Sequence, residues 1–317
     1  MAFGVSINTF LTRSLPICLI AVAILSGCAG IERRVVPVMY EVPDLQTTFD
    51  VVQVSQQQAP LTVITLNVAH GRGGGIHQLF QSADRHRRNL DGIGTVLRRE
   101  RPHVVALQEA DGPSVWSGRF SHVAYLAQTG GFRYYLRGQH DYFPGLSHGT
   151  AIISRLPLRD PLAVTFRLAT PGFPKGFVVS SMAWPGPPDV EVDIVSVHLD
   201  FVNVRIREQQ IAELMDVIET RTRPLVLMGD FNSVWSGRKK LLQKLIDEFS
   251  LSTYAPESES LISHSLLGRR LDWIFVSPEL VIENYETLPD LVSDHRAVKA
   301  EISFQPVARA RISAISW

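Results

Sequence analysis

The 317-residue sequence has only two cysteines, Cys18 and Cys28. A framework of several disulfides is therefore excluded, as is a multi-cysteine zinc site. Neither sign of charge is in excess, because 31 Lys and Arg balance 31 Asp and Glu. No global field argues for nucleic acid or an anionic surface, so function must be sought in local sites. No apolar run is long enough to cross a bilayer comfortably, which takes about 20 residues. The most conspicuous candidate, 15–25, is too short. No internal repeat is visible. What remains, 45% hydrophobic and 20% charged, is the composition of a globular chain with ample length for a large core.

The N-terminus reads as an export signal: Arg13, the apolar stretch 15–25, then small residues. The stretch ends in Leu25-Ser26-Gly27-Cys28, which resembles a bacterial lipobox. The resemblance implies a signal peptide over 1–27 and acylation of Cys28 as the first mature residue. Each buried acyl methylene contributes about 0.8 kcal/mol, so several chains anchor stably. The expected location is the bacterial cell envelope, as a membrane-anchored lipoprotein; Ala29 is compatible with an outer membrane. With Cys18 discarded, the mature chain can form no internal disulfide and its stability rests on the core. Residues 28–59 hold Pro37, Pro43 and the run Gln56-Gln57-Gln58, and read as a tether with one strand-like piece over 35–40. A folded domain is expected over 60–305 and a C-terminal tail over 306–317.

Within that domain, short apolar runs alternate with helical patterns. Strands are predicted at 61–68, 104–107, 150–153, 177–182, 190–197, 225–228, 271–276 and 297–302. Helices are predicted over 84–99, 204–219 and 239–249, the first stopping before Pro102. Such mixing implies a layered α/β or α+β domain.

Several apolar runs end in a residue able to bind a metal or a phosphate: Asn67, Gln108-Glu109, His198, Asp230 with Asn232, and Asp294-His295. Ligand sites in open α/β sheets lie beyond strand ends. Singly, each such residue is more often a turn residue or a helix cap. Converging, they would make a cluster of carboxylates, carboxamides and imidazoles. Magnesium and manganese prefer hard oxygen donors and accept few protein ligands. A His beside an Asp offers a base near neutrality. Asp230 and Asn232, two apart in extended chain, would face the same way.

The segments Thr65-Leu66-Asn67-Val68, Leu107-Gln108-Glu109, His148-Gly149-Thr150-Ala151-Ile152-Ile153-Ser154-Arg155, Ser196-Val197-His198-Leu199, Gly229-Asp230-Phe231-Asn232, Leu271-Asp272-Trp273-Ile274-Phe275 and Ser293-Asp294-His295 occur in an order that resembles the endonuclease/exonuclease/phosphatase superfamily. The resemblance spans about 61–304. It implies a four-layer α/β sandwich, two packed mixed β-sheets flanked by helices. It also implies Mg2+- or Mn2+-dependent hydrolysis of phosphoesters by in-line attack of water. Glu109 would be the principal metal ligand with Asn67 beside it, and Asp294 would complete the shell. Asp230 would position or deprotonate the water, and Asn232 would hold a phosphate oxygen. His295, oriented by Asp272, would contact phosphate or move a proton, and His198 would stabilise charge on the phosphoryl oxygens. Thr150 stands where many bacterial relatives have Asn, which touches a substrate contact and not the metal chemistry.

Other features have plainer readings. Gly71-Arg72-Gly73-Gly74-Gly75 lacks the Lys-Ser/Thr ending of a P-loop and reads as a mobile loop near the site rather than a nucleotide cradle. Arg85, Arg87, Arg88, Arg98, Arg99 and Arg101 read as a solvated helix face partly paired with Asp84, Asp91 and Glu100. Trp116, Trp184, Phe173, Tyr142 and Phe143 could rim a groove, touch lipid or cover sheet ends. Three functions compete. The lipid anchor favours a phosphodiesterase acting on lipid headgroups or small phosphoesters. A DNA or RNA endonuclease of the envelope is the alternative, supported if basic residues line the cleft mouth. A non-catalytic surface binding protein comes third, since unused buried charges are costly. No protein partner is inferred.

Overall fold

The computed structural model describes residues 34–36, 39–41, 60–75, 81–140, 147–171, 174–186, 190–237 and 239–304. The signal peptide, the lipobox and the C-terminal tail expected at 306–317 lie outside the described residues.

Two mixed sheets form the centre. The first has six strands: β1 (Arg34–Val36), β7 (Arg159–Thr165), β8 (Gly176–Ala183), β9 (Glu191–His198), β10 (Leu225–Asp230) and β11 (Asp272–Val276), in that spatial order. The second has seven, in the order β12 (Leu280–Thr287), β13 (Val298–Phe304), β3 (Leu61–Asn67), β4 (Val104–Gln108), β6 (Gly149–Ser154), β5 (Tyr134–Gln139) and β2 (Met39–Glu41). The segment read as a tether thus supplies an edge strand to each sheet.

Each sheet contains one parallel pair. In the second sheet it is β3–β4, joined through helix α1 (Ala83–Glu100). In the first it is β9–β10, joined through α3 (Val204–Ile218). Among the described residues all other strand pairings are antiparallel. A parallel pair needs such a crossover, and both of its strands then end on the same edge of the sheet.

Three apolar layers alternate with these elements. Between the sheets, Val63, Val104 and Ile152 meet Val178, Ile194 and Met228. Outside the first sheet, Val195, Val197 and Leu227 receive Leu214 and Ile218 of α3 and Leu242 and Leu245 of α4 (Leu241–Phe249). Outside the second, Ile64 and Leu107 receive Leu90, Ile93 and Leu97 of α1 and Val123 and Leu126 of α2 (His122–Gly130). The result is the expected four-layer sandwich. Full burial of one such aliphatic side chain contributes about 1.5–3 kcal/mol. Helix α1 starts at Ser82, whose side chain accepts from the Arg85 N–H. It stops at Arg101, in the left-handed region with φ 49°, because the ring of Pro102 disfavours a further helical residue before it.

Candidate functional site

The register of the parallel pairs brings the polar strand ends together. Asn67 lies opposite Gln108 at the ends of β3 and β4, and His198 opposite Asp230 at the ends of β9 and β10. Asp230 also faces Asp272, the first residue of antiparallel β11. The sheets are face to face, so these rows meet. The Asn67 amide Nδ2 donates across the gap to Asp230 Oδ2 at 3.1 Å. Gln108 Nε2 donates across the same gap to Ser196 Oγ at 3.1 Å. His198 Nε2 lies 3.5 Å from Asp230 Oδ2 and His295 Nε2 3.8 Å from it. His295 Nδ1 is 2.7 Å from Asp272 Oδ2.

Charge is unevenly shared in this group. Burial, and then the neighbouring Asp272, push Asp230 up to about 7, against His295 and the hydrogen bonds from Asn232 and Asn67. Burial alone would lower His295, but Asp272, Asp230 and Asp294 outweigh it and raise it to about 10. His295 is therefore an imidazolium at neutral pH. Burial and Lys175 hold His198 well below the usual histidine range, so it is neutral. The site offers a carboxylate poised near neutrality between one cationic and one neutral imidazole.

On the other flank, Glu109 takes a positive φ of 50° just beyond β4. Its Oε2 lies 3.3 Å from His70 Nε2, and His70 Nδ1 is 2.9 Å from Asp111. Burial opposes ionisation of Glu109, but His70, Lys175 and Arg72 more than offset it and hold the carboxyl well below its ordinary range. Asp294 is ion-paired with Arg72, and Ser293 Oγ donates to the Asn67 carbonyl at 2.8 Å. The contacts thus join Asn67, His198, Asp230, Asp272 and His295 directly. Glu109 is linked to them through the field of Lys175, which lies against His198, and Asp294 through Arg72 and His295.

Two residues of this constellation, Lys175 and His70, carry no sequence motif, and a third, Arg72, lies in the glycine-rich run read as a loop near the site. Lys175 is buried just before β8, its Nζ 3.2 and 3.3 Å from the two His198 ring nitrogens. Burial lowers it, while Glu109, Asp230 and Asp200 raise it. His70 and Arg72 follow Asn67 closely, but only the 3-10 turn Ala69–Gly71 aims them at Glu109 and Asp294.

The donors fit a hard divalent cation. Glu109 is ionised, and Asp272 Oδ1 is buried with no hydrogen-bond partner among the described residues. Asp230, Asp272 and His295 each offer an atom within 4.8 Å of the others. However, an imidazolium has no lone pair to give, and the 2.7 Å contact already commits His295 Nδ1 to Asp272. The oxygen donors Glu109, Asn67 and Asp294 suit magnesium or manganese better.

Several expectations change in detail. Asn232 is not extended: its φ is 48°, its N–H donates to Asp230 Oδ1 at 2.9 Å, and its Nδ2 donates to the Leu199 carbonyl at 2.9 Å. A tight turn, which Asn tolerates, replaces the two-residue repeat. Thr150 does not face a substrate; it is buried, 2.9 Å from His140 Nε2, while His140 Nδ1 lies 3.0 Å from Thr165 of the other sheet. The glycine loop is fastened to α1, with Asn89 Nδ2 donating to Gly71 O at 2.9 Å. The basic helix pairs as a solvated face: Arg99 grips Asp290 at 3.0 and 2.6 Å and meets Glu100 at 2.7 Å, Arg87 meets Asp84 at 3.3 Å, and Asp91 accepts instead from Tyr125. Trp184 belongs to the inter-sheet core and Trp116 sits 6.5 Å from the His70 ring. Phe173, Tyr142 and Phe143 lie outside the described residues.

A sandwich of this kind with carboxylates, amides and imidazoles at one end of both sheets defines the metal-dependent phosphohydrolase class. Residues 64–295 match the Endonuclease/Exonuclease/phosphatase family, and the chain belongs to it. Members of this family are hydrolases of phosphoesters, generally dependent on a divalent metal. Similar solved structures include an endonuclease/exonuclease/phosphatase from Beutenbergia cavernae, at TM-score 0.63 and 22% identity over 79% of this chain and 73% of that one. The human Nocturnin catalytic domain with bound sulfate is similar at TM-score 0.58 and 18% identity, over 78% and 95%. A mannosyl-6-phosphatase from Bacteroides thetaiotaomicron follows at 0.57 and 17%, over 77% and 100%. At these identities the likeness shows the fold. No curated protein matches the sequence.

Proposed function

We propose that this protein is a divalent-metal-dependent phosphodiesterase of the bacterial envelope, anchored through acylated Cys28 and acting on lipid headgroups or small phosphoesters. The observation that carries the reading is the convergence, across the sheet interface, of Asn67 and Glu109 from one sheet with His198, Asp230 and Asp272 from the other. Asn67, Glu109 and Asp294 would hold Mg2+ or Mn2+, which when bound polarises the phosphoryl oxygens and stabilises the leaving oxygen. Asp230, titrating near neutrality, takes the proton of the attacking water as its oxygen bonds to phosphorus and the ester P–O bond breaks. Cationic His295, held by Asp272, stabilises charge on the phosphoryl group. His198 and Lys175 serve the opposite side, and an N–H of Asn232 holds a phosphate oxygen.

The test is turnover of bis-p-nitrophenyl phosphate, p-nitrophenyl phosphate, sphingomyelin and supercoiled plasmid, each with Mg2+, with Mn2+ and with a chelator. Metal-dependent cleavage of diesters or lipid without plasmid nicking supports the reading. Nicking as the dominant activity would replace it with a nuclease, and no turnover on any substrate would leave a binding protein.

A further inference from the structure

We propose that the face around the site is seated on an anionic lipid bilayer, the same membrane that carries the N-terminal anchor. This rests on the envelope-hydrolase reading above and names the surface on which that site works.

The first ground is where the chain enters the fold. Arg34, the first residue of β1, pairs with Thr165; Thr165 pairs with Gly176; Gly176 pairs with His198. This row continues through Asp230 to Asp272, so β1 begins at the site end of its sheet. Cys28 stands six residues before Arg34. Even fully extended, those residues reach only about 20 Å. The eight residues of β9 span more, about 26 Å. A chain acylated at Cys28 is therefore held with the site end, not the opposite end, beside the bilayer.

The second ground is the chemistry of four loops at that end. Each carries exposed aliphatic or aromatic residues with an exposed arginine close in sequence: Val115 with Arg119, Leu168 with Arg167, Phe201 and Val202 with Arg205, and Leu266 and Leu267 with Arg269. Each loop is tied to the site. Trp116 meets His70, the Thr170 N–H donates to Asp200, Lys175 lies 5.8 Å from the Phe201 ring, and the Ser265 N–H donates to the Asp294 carbonyl. The exposures are large for apolar side chains, 68% for Val115 and 83% for Leu266. No carboxylate falls within the tips themselves, residues 115–119, 167–168, 201–205 and 266–269; Asp111 and Asp200 nearby are buried, and the exposed Glu257 and Glu259 lie further back in the connection that leads to Leu266. Apolar tips flanked by arginine and free of exposed carboxylate match the boundary between headgroups and acyl chains of an anionic leaflet. Nucleic acid would also attract arginine through its phosphates, but a charged backbone offers no partner to the exposed Val, Leu and Phe side chains, which acyl chains would receive.

The test uses the full mature, lipidated protein. With Cys18 removed and Cys28 acylated, an introduced cysteine is the single free thiol. Val115→Cys and Leu266→Cys are labelled with bimane, with Thr220→Cys, exposed just ahead of the opposite end of β10, as the reference. The proteins are reconstituted into phosphatidylethanolamine–phosphatidylglycerol vesicles bearing acyl-chain nitroxides. Quenching at 115 and 266 several-fold above that at 220 is expected; equal quenching at the three positions overturns the proposal. The double change Leu266→Glu with Leu267→Glu should lower hydrolysis of a bilayer phosphodiester several-fold and leave bis-p-nitrophenyl phosphate hydrolysis unchanged. If that change weakens plasmid binding while quenching is equal everywhere, the surface serves nucleic acid and the proposal falls. If the parent protein turns over no phosphoester, the hydrolase reading fails separately, and the quenching pattern still decides the seating.

Discussion

Asp230 takes hydrogen bonds from Asn67 and from the Asn232 backbone, and faces two imidazoles, so its neighbours set its acidity. Replacing Asp272 with Asn removes the charge that does most to hold His295 protonated. Turnover should fall by about 10²–10⁴-fold, the scale of one positioned proton-transfer or orienting group. The His295 imidazole, followed by NMR, should titrate well below about 10; an unchanged titration would remove Asp272 from that role. Glu109→Gln should cut metal-dependent turnover by orders of magnitude and leave the circular dichroism spectrum intact; full activity would take Glu109 out of the metal shell. Lys175→Met removes the cation that helps keep His198 neutral, so His198 should titrate at higher pH and turnover should drop. A His198 titration that does not move would mean Lys175 only fills space.

At the scale of elements, the glycine before Asp230 is as demanding as the aspartate. Gly229 has φ 153°, and a Cβ there would lie 2.0 Å from the Val197 carbonyl oxygen of the neighbouring strand. Gly229→Ala should therefore destabilise the fold by about 1–3 kcal/mol or more, read as a lower urea midpoint, because strand backbone has no slack to yield. An unchanged midpoint would mean that β9 and β10 can part without cost. The elements that were legible in the sequence are those with one strong apolar face or an uninterrupted apolar run, such as β3, β4, β9, β10 and α1. Those that were not have a physical excuse. β7 contains Pro161 and a register shift between Arg159 and Leu162. β12 is an edge strand, partly exposed on both faces. β5 carries Arg137 and Gly138 in its middle, and α2 is a nine-residue helix with weak polarity between its faces. In the site, residues at the ends of apolar runs could be picked out because the run pointed to them. Lys175, His70 and Arg72 sit in loops, where only the folded path brings their charges to Glu109 and Asp294.

For the whole molecule, stability should fall in acid. His140 and His122 are buried and His148 half-buried, and desolvation pushes all three down, the latter two to about 4. In the unfolded chain each binds a proton near pH 6.5, which the folded chain refuses. Their contribution to stability is complete above that pH and is lost as pH falls from 6.5 toward 4. His70 and His295 are raised, so they are protonated in both states below 6.5 and do not offset this loss; their own contribution is lost instead as pH rises above 6.5. Asp230, raised to about 7, takes up a proton in the folded state as pH falls and opposes part of the loss, one group against the three histidines. Unfolding free energy from urea titrations should fall steadily between about pH 6.5 and 5; a flat profile would show that the buried histidines find partners on protonation.

The proposed catalytic group is bolted together from two leaves of one sandwich, with Asn67 reaching from one to Asp230 on the other. Neither leaf alone owns a working half. Activity should thus behave as a gauge of alignment between the leaves, vanishing with the first slip of one past the other, so that loss of turnover on heating coincides with or precedes the loss of secondary structure and never trails it.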